Sequence, residues 1–139
     1  MPVLHAQSAK DTFVPLSFQH VTASVQDLDA EVNWYKRIFG FHEQSREGDA
    51  AHMIVAHLVA PGVRIDLVKQ NGSVRHRTEA GPLEQGWLHV VFKVPSLDVA
   101  YKELKAKGTD VKANLNAEGK PQHLSLHDPE GNEIGIGHD

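Results

Sequence analysis

Two histidines occupy matching points in two similar stretches of this sequence. His20 lies within residues 18–25, and His89 lies within residues 87–94, 69 residues further on. Each histidine is followed by a valine one and five positions later, and each stretch has the β-branched and aromatic composition of a short strand. Imidazoles are common ligands of divalent transition metals, so the matched pair suggests a metal site. The structural alternative is a pair of half-buried strand histidines that are hydrogen-bonded to their neighbours.

A helix is predicted directly after each of these strands. Asp27 is a good N-cap for the first helix and Gly40 a natural terminator, while Ser96 and Gly108 have the same roles in the second. Apolar residues recur at helical spacing between these limits. They are Leu28, Val32, Tyr35 and Phe39 in the first helix, and Leu97, Ala100, Tyr101 and Leu104 in the second.

Three further strands are predicted after each helix, so that each half has the order β-α-β-β-β. The predicted strands cover residues 16–25, 41–46, 52–59 and 63–69 in the first half, and 88–94, 110–113, 123–127 and 133–137 in the second. The offset of 69 residues also aligns Ile65 with Ile134 and Asp66 with Gly135. Because the register holds from the first strand to the last, we interpret the chain as an internal duplication.

The duplication defines the domain organisation. Residues 1–14 show no periodicity and are predicted to form an N-terminal arm. Residues 15–139 form one domain, made of module one (15–70), a polar linker (71–86) and module two (87–139). A chain of 139 residues is long enough for a single domain with its own core.

Composition excludes several classes of function. A hydrophobic fraction of 40% and a charged fraction of 23% are typical of a globular protein. The net charge of −4 predicts no nucleic-acid partner and no attraction to an anionic membrane. The absence of cysteine excludes disulfides and thiolate chemistry. No stretch has the apolar length of a signal peptide or membrane span, so we expect a cytoplasmic protein.

Taken in order, the motifs of both halves resemble the vicinal-oxygen-chelate superfamily, which contains glyoxalase I, bleomycin- and fosfomycin-resistance proteins, methylmalonyl-CoA epimerase and extradiol dioxygenases. The similarity covers about residues 16–137. It implies an α+β fold in which two tandem βαβββ modules form a curved mixed sheet around a metal and substrate cavity. The residues that carry it are 18–21, 25–28, 34–35, 39–41, 89–90, 94, 97–98, 104, 108 and the closing 128–132.

The resemblance also implies a set of metal ligands on the first and last strands of each module. Transferred to this sequence, the positions are His20, Asp66, His89 and Gly135. Glycine has no donor, which leaves two imidazoles and one carboxylate, a set that suits Fe(II) and also Mn, Ni, Co or Zn. Strand alternation places Asp66 and His20 on one face. Asp66 has an alternative role as a cavity-wall acid paired with Arg64 or Lys69.

Other polar and aromatic residues are expected around this site. Glu133 shares a strand face with Gly135, and we expect it to act as a catalytic base or a shifted fourth ligand. His127 is expected to act in proton transfer or in substrate binding. The expected substrate-binding residues are Phe18, Trp87, His57 and Ser125. The segment 128–132 is interpreted as a tight turn without a chemical role.

Three functions remain open at this level. A three-ligand site favours, by a narrow margin, an Fe(II)-type dioxygenase or oxygenase that acts on a small oxygenated metabolite. The second is a glyoxalase-like lyase or isomerase with Glu133 or a histidine as base. The third is a metal-free protein that binds a drug or metabolite. A homodimer is expected, and the modules pair either within one chain or between two.

Overall fold

The computed structural model describes residues 14–74 and 88–138. It has the element order β-α-β-β-β twice, as the sequence predicts. Module one contains β1 (Val21–Ser24), α1 (Leu28–Phe39), β2 (His42–Gly48), β3 (Met53–Ala60) and β4 (Val63–Gln70). Module two contains β5 (Val90–Lys93), α2 (Leu97–Ala106), β6 (Lys112–Leu115), β7 (Pro121–His127) and β8 (Glu133–Gly137).

The strands form two four-stranded sheets of identical topology. The strand order is β1-β4-β3-β2 in module one and β5-β8-β7-β6 in module two. The first and last strands of each module are parallel, and the other pairs are antiparallel. Thr22 pairs with Asp66, and Val91 pairs with Gly135, so the duplication inferred from the sequence is present in the register. The fold is therefore α+β with two tandem βαβββ modules.

The first strand of each module is shorter than predicted. β1 begins at Val21 and β5 at Val90, so His20 and His89 lie one residue before the strands rather than within them. Pairing of β1 with β4 starts at Val21 opposite Ile65, and the residues before Val21 have no strand partner. Both histidines consequently lie just before a parallel strand pair, where the backbone is not yet held by the hydrogen bonds between strands.

Local capping sets the helix boundaries. The Asp27 side chain accepts a hydrogen bond from the backbone N–H of Ala30, and Gly40 ends α1 with a φ of 72° that favours glycine. In α2, Ser96 accepts from the N–H of Val99. Among the residues described, neither helix is long and apolar enough to span a membrane.

One hydrophobic core is shared by the two modules. Leu58 and Leu67 of module one and Leu124 and Ile134 of module two are fully buried members of the same cluster. Phe92 on β5 connects the halves, because its ring centroid lies 5.4 Å from that of Phe39 and 6.1 Å from that of Phe41. The modules therefore fold against each other and not as separate units.

The turn 128–132 attaches module two to α1. The Tyr35 hydroxyl donates to Asp128 Oδ2 at 2.9 Å. The Glu130 carboxylate accepts backbone hydrogen bonds from Gln26 at 2.8 Å and from Asp27 at 2.7 Å, at the positive end of α1. The sequence predicts a tight turn here, and the structure adds that the turn caps a helix of the other module.

A buried carboxyl group lies beneath this attachment. Glu31 has no solvent exposure, and its Oε1 accepts from the backbone N–H of Glu130 at 3.0 Å. Its Oε2 is buried without a hydrogen-bond partner among the described residues. Burial, followed by the nearby Asp128 carboxylate, raises the pKa of Glu31 to about 9. Glu31 is therefore protonated at neutral pH.

Candidate functional site

A cavity of about 810 Å³ lies between the edge strands β1 and β5. His20 and Phe18 line it from module one, and His89, Leu88 and Glu133 line it from module two. Its volume is within the range of small-molecule sites, and its wall is largely apolar with a few polar groups. The cavity therefore brings together four residues predicted from the sequence, which are Phe18, His20, His89 and Glu133.

His89 and Glu133 form a hydrogen-bonded pair on the cavity wall. Nδ1 of His89 donates to Oε2 of Glu133 at 2.5 Å. An ionised carboxylate can only accept, so the proton of a neutral imidazole lies on Nδ1 and Nε2 carries the free lone pair. About one third of each side chain is exposed. The pair is accessible, oriented and suited to proton transfer.

His127 lies on the far side of Glu133. Its Nε2 is 4.0 Å from Oε1 of Glu133, and its Nδ1 donates to Oδ2 of Asp110 at 2.8 Å. Asp110 also accepts from the backbone N–H of His127. Burial acts to raise the pKa of Asp110, but these hydrogen bonds outweigh it and hold the pKa below its usual value. Sequence reasoning missed Asp110, because nothing in the local pattern indicates that it lies beside the end of β7.

On module one, Asp66 is the centre of an ion cluster. Arg64 donates to both of its carboxylate oxygens, at 3.0 and 3.1 Å, and His57 Nδ1 is 2.9 Å from Oδ1. His20 Nε2 is 3.3 Å from Oδ2. Burial acts to raise the pKa of Asp66, but the hydrogen bonds from Arg64 and His57 hold it below its usual value. The predicted alternative, an acid paired with Arg64, is the observed arrangement.

His57 extends this cluster to Glu47. Its Nε2 contacts the Glu47 carboxylate, while its Nδ1 faces Asp66. These two hydrogen bonds raise the pKa of His57 above its ordinary value. His52 precedes this strand, is largely exposed and pairs with Asp49 in the turn before β3. Of these two histidines, His57 is therefore the one that contacts Asp66.

Gly135 leaves a bare patch on β8 that another side chain covers. A Cβ at this position would lie 3.0 Å from Nε2 of His123 and 3.1 Å from Cγ2 of Val91. His123 lies on β7, on the same face as Ser125, which pairs with Gly135. Its ring centroid is 6.4 Å from that of His89. Sequence reasoning assigned no role to His123.

The donor set fits a metal ion in part. Two donors that each lie about 2.0–2.2 Å from one ion are about 3.0–3.4 Å apart, and His20 Nε2 and Asp66 Oδ2 have this spacing at 3.3 Å. The Nε2 of His89 is a free third donor. Across residues 14–74 and 88–138, however, no three histidine, aspartate or glutamate side chains are grouped as a metal site.

The remaining predicted residues lie outside the cavity wall as the structure describes it. Asp66 and His57 lie on the sheet of module one, and Ser125 and His127 lie on the sheet of module two. Trp87 falls outside the described residues.

Comparison with known families gives one match that covers most of the chain. The model of the Glyoxalase/Bleomycin resistance protein/Dioxygenase superfamily matches residues 17–136. This range includes both modules and every described residue of the candidate site. No curated protein sequence matches significantly.

Solved structures with the same fold cover nearly the whole chain. A glyoxylase/bleomycin resistance protein/dioxygenase domain from Frankia sp. EAN1pec is 25% identical, with a TM-score of 0.69 over 90% of this chain and 93% of that one. A glyoxalase family protein from Bacillus cereus is 23% identical, with a TM-score of 0.68 over 95% and 98%. The fosfomycin resistance protein FosX from Listeria monocytogenes, complexed with Mn(II) and dihydroxypropylphosphonic acid, is 16% identical, with a TM-score of 0.62 over 89% and 90%.

Proposed function

The chain belongs to the Glyoxalase/Bleomycin resistance protein/Dioxygenase superfamily, and on this basis we propose that it is a metal-dependent, glyoxalase-like lyase or isomerase. Its substrate would be a small oxygenated metabolite on which it moves a proton. The observation that carries this proposal is the hydrogen bond between His89 and Glu133 on the cavity wall. A positioned carboxylate of this kind is suited to remove a proton from a carbon next to a carbonyl.

Glu133 is the proposed base. His89 holds Oε2 in place, which leaves Oε1 to accept the proton from substrate. His127 Nε2 lies 4.0 Å from Oε1, and its partly exposed ring is placed to pass the proton on to solvent. Asp110 stabilises the positive charge that His127 would carry during this transfer.

His20, Asp66 and His89 are the proposed ligands of a divalent metal. The 3.3 Å spacing of His20 Nε2 and Asp66 Oδ2 and the free Nε2 of His89 support this set. A bound ion would supply Lewis-acid stabilisation of the negative charge that develops on a substrate oxygen. Asp66 would have to release at least one of its two hydrogen bonds from Arg64 in order to ligate.

The cavity wall indicates the size and polarity of the substrate. Phe18 and Leu88 supply apolar surface, and Thr22 and Ser24 supply hydroxyl groups near His20. Trp87 is proposed to extend the apolar side, and His57 and Ser125 are proposed to contact polar atoms of the substrate. These groups suit a small molecule that carries neighbouring oxygens and a short hydrocarbon part.

An Fe(II)-type oxygenase is the second candidate. Two imidazoles and one carboxylate leave about three coordination positions open on an octahedral ion, which suits a bidentate substrate and O₂. The pairing of His20 with Asp66 supports this set as much as it supports the first candidate. The two candidates differ in their need for O₂ and for Glu133 as a base.

The experiment starts from full-length protein purified without a chelator and without a histidine tag. Elemental analysis gives the metal content of the parent and of the His20→Ala and His89→Ala variants. Methylglyoxal–thiol adducts and α-hydroxy carbonyl compounds are then offered under nitrogen in D₂O, and deuterium incorporation is followed by NMR. We expect metal-dependent incorporation that is lost in both variants. Turnover that requires O₂ would instead support the oxygenase. Tight ligand binding without metal or turnover would support a metal-free binding protein.

A homodimer is proposed as the working assembly. Several large apolar side chains are exposed in one chain, and a second copy that covered them would remove apolar surface from water. They include Leu16, Phe18, Val91 and Leu115. Mixing the His20→Ala and His89→Ala variants tests how the modules pair. Sites shared between chains would recover up to about a quarter of parent activity by random assortment, whereas sites within one chain would recover none.

A further inference from the structure

We propose that a buried cluster on α1 and the turn 128–132 positions Glu133 by tying its turn to module one. The members of this cluster are Glu31, Tyr35 and Asp128, and we call it the Glu31 cluster. The inference rests on the proposed function, because Glu133 is the proposed base. Glu133 is the first residue of β8 and follows the turn directly. Tyr35 and part of the turn line the same cavity as Glu133.

The hydroxyl of Tyr35 connects the two modules at Asp128. The Asp128 carboxylate is 4% exposed and accepts from the side chain of Asn132 at 2.8 Å and from the backbone N–H groups of Glu130 and Asn132 at 3.0 and 2.9 Å. These bonds lie within the turn and keep its shape. The Tyr35 hydroxyl, which donates to Asp128 at 2.9 Å, joins the turn to α1. Burial, and then the Asp128 carboxylate, raise the pKa of Tyr35 far above its ordinary value, so the hydroxyl stays a donor.

Glu31 adds a second connection, and this one depends on a proton. Its Oε1 and the Oδ1 of Asp128 both accept from the backbone N–H of Glu130, each at 3.0 Å. The two carboxyl groups therefore converge on one donor in a buried place, where two negative charges would repel strongly. The titratable groups that face Glu31 are the carboxylates of Asp128 and Glu130 on the turn and the phenol of Tyr35 on α1. A proton on Glu31 removes the repulsion and keeps the cluster together.

The turn transmits this attachment to Glu133. Inside the turn, the backbone N–H of Gly131 donates to the carbonyl of Asp128, and that of Asp128 donates to the carbonyl of Asn132, both at 3.0 Å. These bonds make the turn move as a unit with the first residue of β8. Release from α1 would therefore displace Glu133 relative to the part of the cavity that module one forms. A displaced base slows proton transfer more than it weakens substrate binding, so kcat should fall while KM changes little.

The charge of Glu31 makes this positioning dependent on pH. Burial, followed by the nearby Asp128 carboxylate, raises the pKa of Glu31 to about 9. Below this pH Glu31 is neutral and the turn stays attached to α1. Above it, the ionised Glu31 faces the carboxylates of Asp128 and Glu130, and their repulsion separates the turn from α1. The activity of the parent should consequently decline as the pH rises through about 9.

The first experiment removes the bond between the modules without removing an acceptor on the turn. Tyr35→Phe deletes one hydroxyl and keeps the ring in the core. At pH 7 we expect the backbone amides of Gln26 and Asp27 to exchange hydrogen at least about tenfold faster in NMR spectra, beyond any change at the slowest core amides. Both amides donate to Glu130, which this variant retains, so faster exchange would report movement of the whole turn.

The same variant separates positioning from a structural role. With the substrate found in the deuterium assay, kcat of Tyr35→Phe should fall by about tenfold or more, at a KM within about twofold of the parent. Tyr101→Phe is the matched control, because it makes the same change on a half-buried ring of α2. It should alter neither the exchange of the two amides nor kcat. Circular dichroism checks that each variant is folded.

The second experiment uses the proton on Glu31. The ratio of kcat at pH 10 to kcat at pH 7 should be higher in Glu31→Gln than in the parent, because glutamine stays neutral at both values. Equal ratios would overturn the positioning role, and this measurement alone decides if Tyr35→Phe does not fold.

The outcomes distinguish this inference from the proposed function. If Tyr35→Phe exchanges and turns over as the parent does, the role of the Glu31 cluster is overturned and the proposed function stands. Faster exchange with an unchanged kcat would show that the cluster holds the fold alone, which also overturns the positioning role. If the parent turns over none of the compounds offered, the proposed function fails, and the positioning of a base fails with it.

Discussion

The two modules have the same strand order but differ in charge at two equivalent positions. In module one, Asp66 is the acid that faces His20, and residue 64 is an arginine. In module two the acid stands two residues earlier than in module one. Residue 135 is a glycine, and the acid that faces His89 is Glu133, at the position equivalent to Arg64. Each histidine therefore keeps a carboxylate partner, but the carboxylate comes from strand positions two residues apart.

This shift gives the two acids different chemistry. Asp66 is buried, and its charge is balanced by Arg64 and His57, so it is suited to hold an ion or a structure in place. Glu133 is partly exposed on the cavity wall, and among the described residues its ion-pair contacts are with His89 and His127. An acid without a permanent cation can take and release a proton at low cost. On the proposed assignment, the duplication divides binding and proton transfer between its halves.

The largest expected effect comes from removing the acid of module two. Glu133→Gln keeps the shape of the side chain but cannot accept a proton, so kcat should fall by about 10²- to 10⁴-fold. Metal content and thermal stability should remain close to those of the parent. Turnover of the substrate identified in the deuterium assay gives the measurement. Glu118→Gln, in the exposed β6–β7 loop, is the matched control. Full activity of Glu133→Gln would remove the proposed distinction between the two acids.

Removing the cation of module one should have a smaller effect of a different kind. Arg64→Gln leaves Asp66 with only its histidine partners, so the free energy of unfolding should fall by more than in a variant that breaks only exposed ion pairs. Because the pKa of Asp66 is lower in the folded state than in the unfolded chain, its ionised form stabilises the fold at pH values above the unfolded pKa. This stabilisation is lost as the pH falls through the folded pKa. The destabilisation in urea should therefore be greater at pH 7 than at pH 3.

The same variant reports on metal binding. Because Arg64 competes with an ion for Asp66, Arg64→Gln should bind Co²⁺ more tightly than the parent. Arg46→Gln is the matched control, since it breaks ion pairs with the exposed Asp29 and with Glu43, and should cost at most about 1 kcal/mol. Weaker Co²⁺ binding by Arg64→Gln would contradict the assignment of Asp66 as a ligand.

The smallest effect is expected at a helix position where module one has an acid and module two has none. Glu31 corresponds to Ala100 in α2. The pKa of Glu31 is raised from 4.5 to about 9, so the folded state holds a proton that the unfolded chain has released. Stability from this group must therefore fall as pH rises from about 4.5 to about 9.

Glu31→Gln should remove this dependence. The variant should match the parent near pH 4 and be more stable than the parent at pH 8. Urea unfolding at the two pH values gives the measurement, and Glu103→Gln on the exposed face of α2 is the control. A stability difference between Glu31→Gln and the parent that is the same at both pH values would contradict the raised pKa of Glu31.

The sequence was sufficient for features that depend on local pattern and on the repeat. Asp27 and Gly40 mark the ends of α1 because capping and a positive φ are local requirements. The offset of 69 residues predicted the fold, and it identified Asp66 and Gly135 as the point where the modules differ. His20 and His89 line one cavity, as expected of a matched pair.

Contacts between distant side chains could not be derived in the same way. Three contacts depend on how strands and modules pack. They are those of His123 with Gly135, of Asp110 with His127, and of Glu130 with the start of α1. The strand pattern predicted only which face each residue occupies. The lengths of β1 and β5 were overestimated because the side-chain pattern does not show where pairing with β4 and β8 begins.

The carboxylate of Glu130 has a consequence for the history of the duplication. A single ancestral unit would have had to cap its own helix or borrow the cap from a second copy. In the present chain the two backbone amides before α1 are satisfied by a residue more than a hundred positions away. Each half has thus become dependent on the other, and neither is expected to fold when expressed alone. The two halves expressed as separate polypeptides should instead reassemble, as in a split protein.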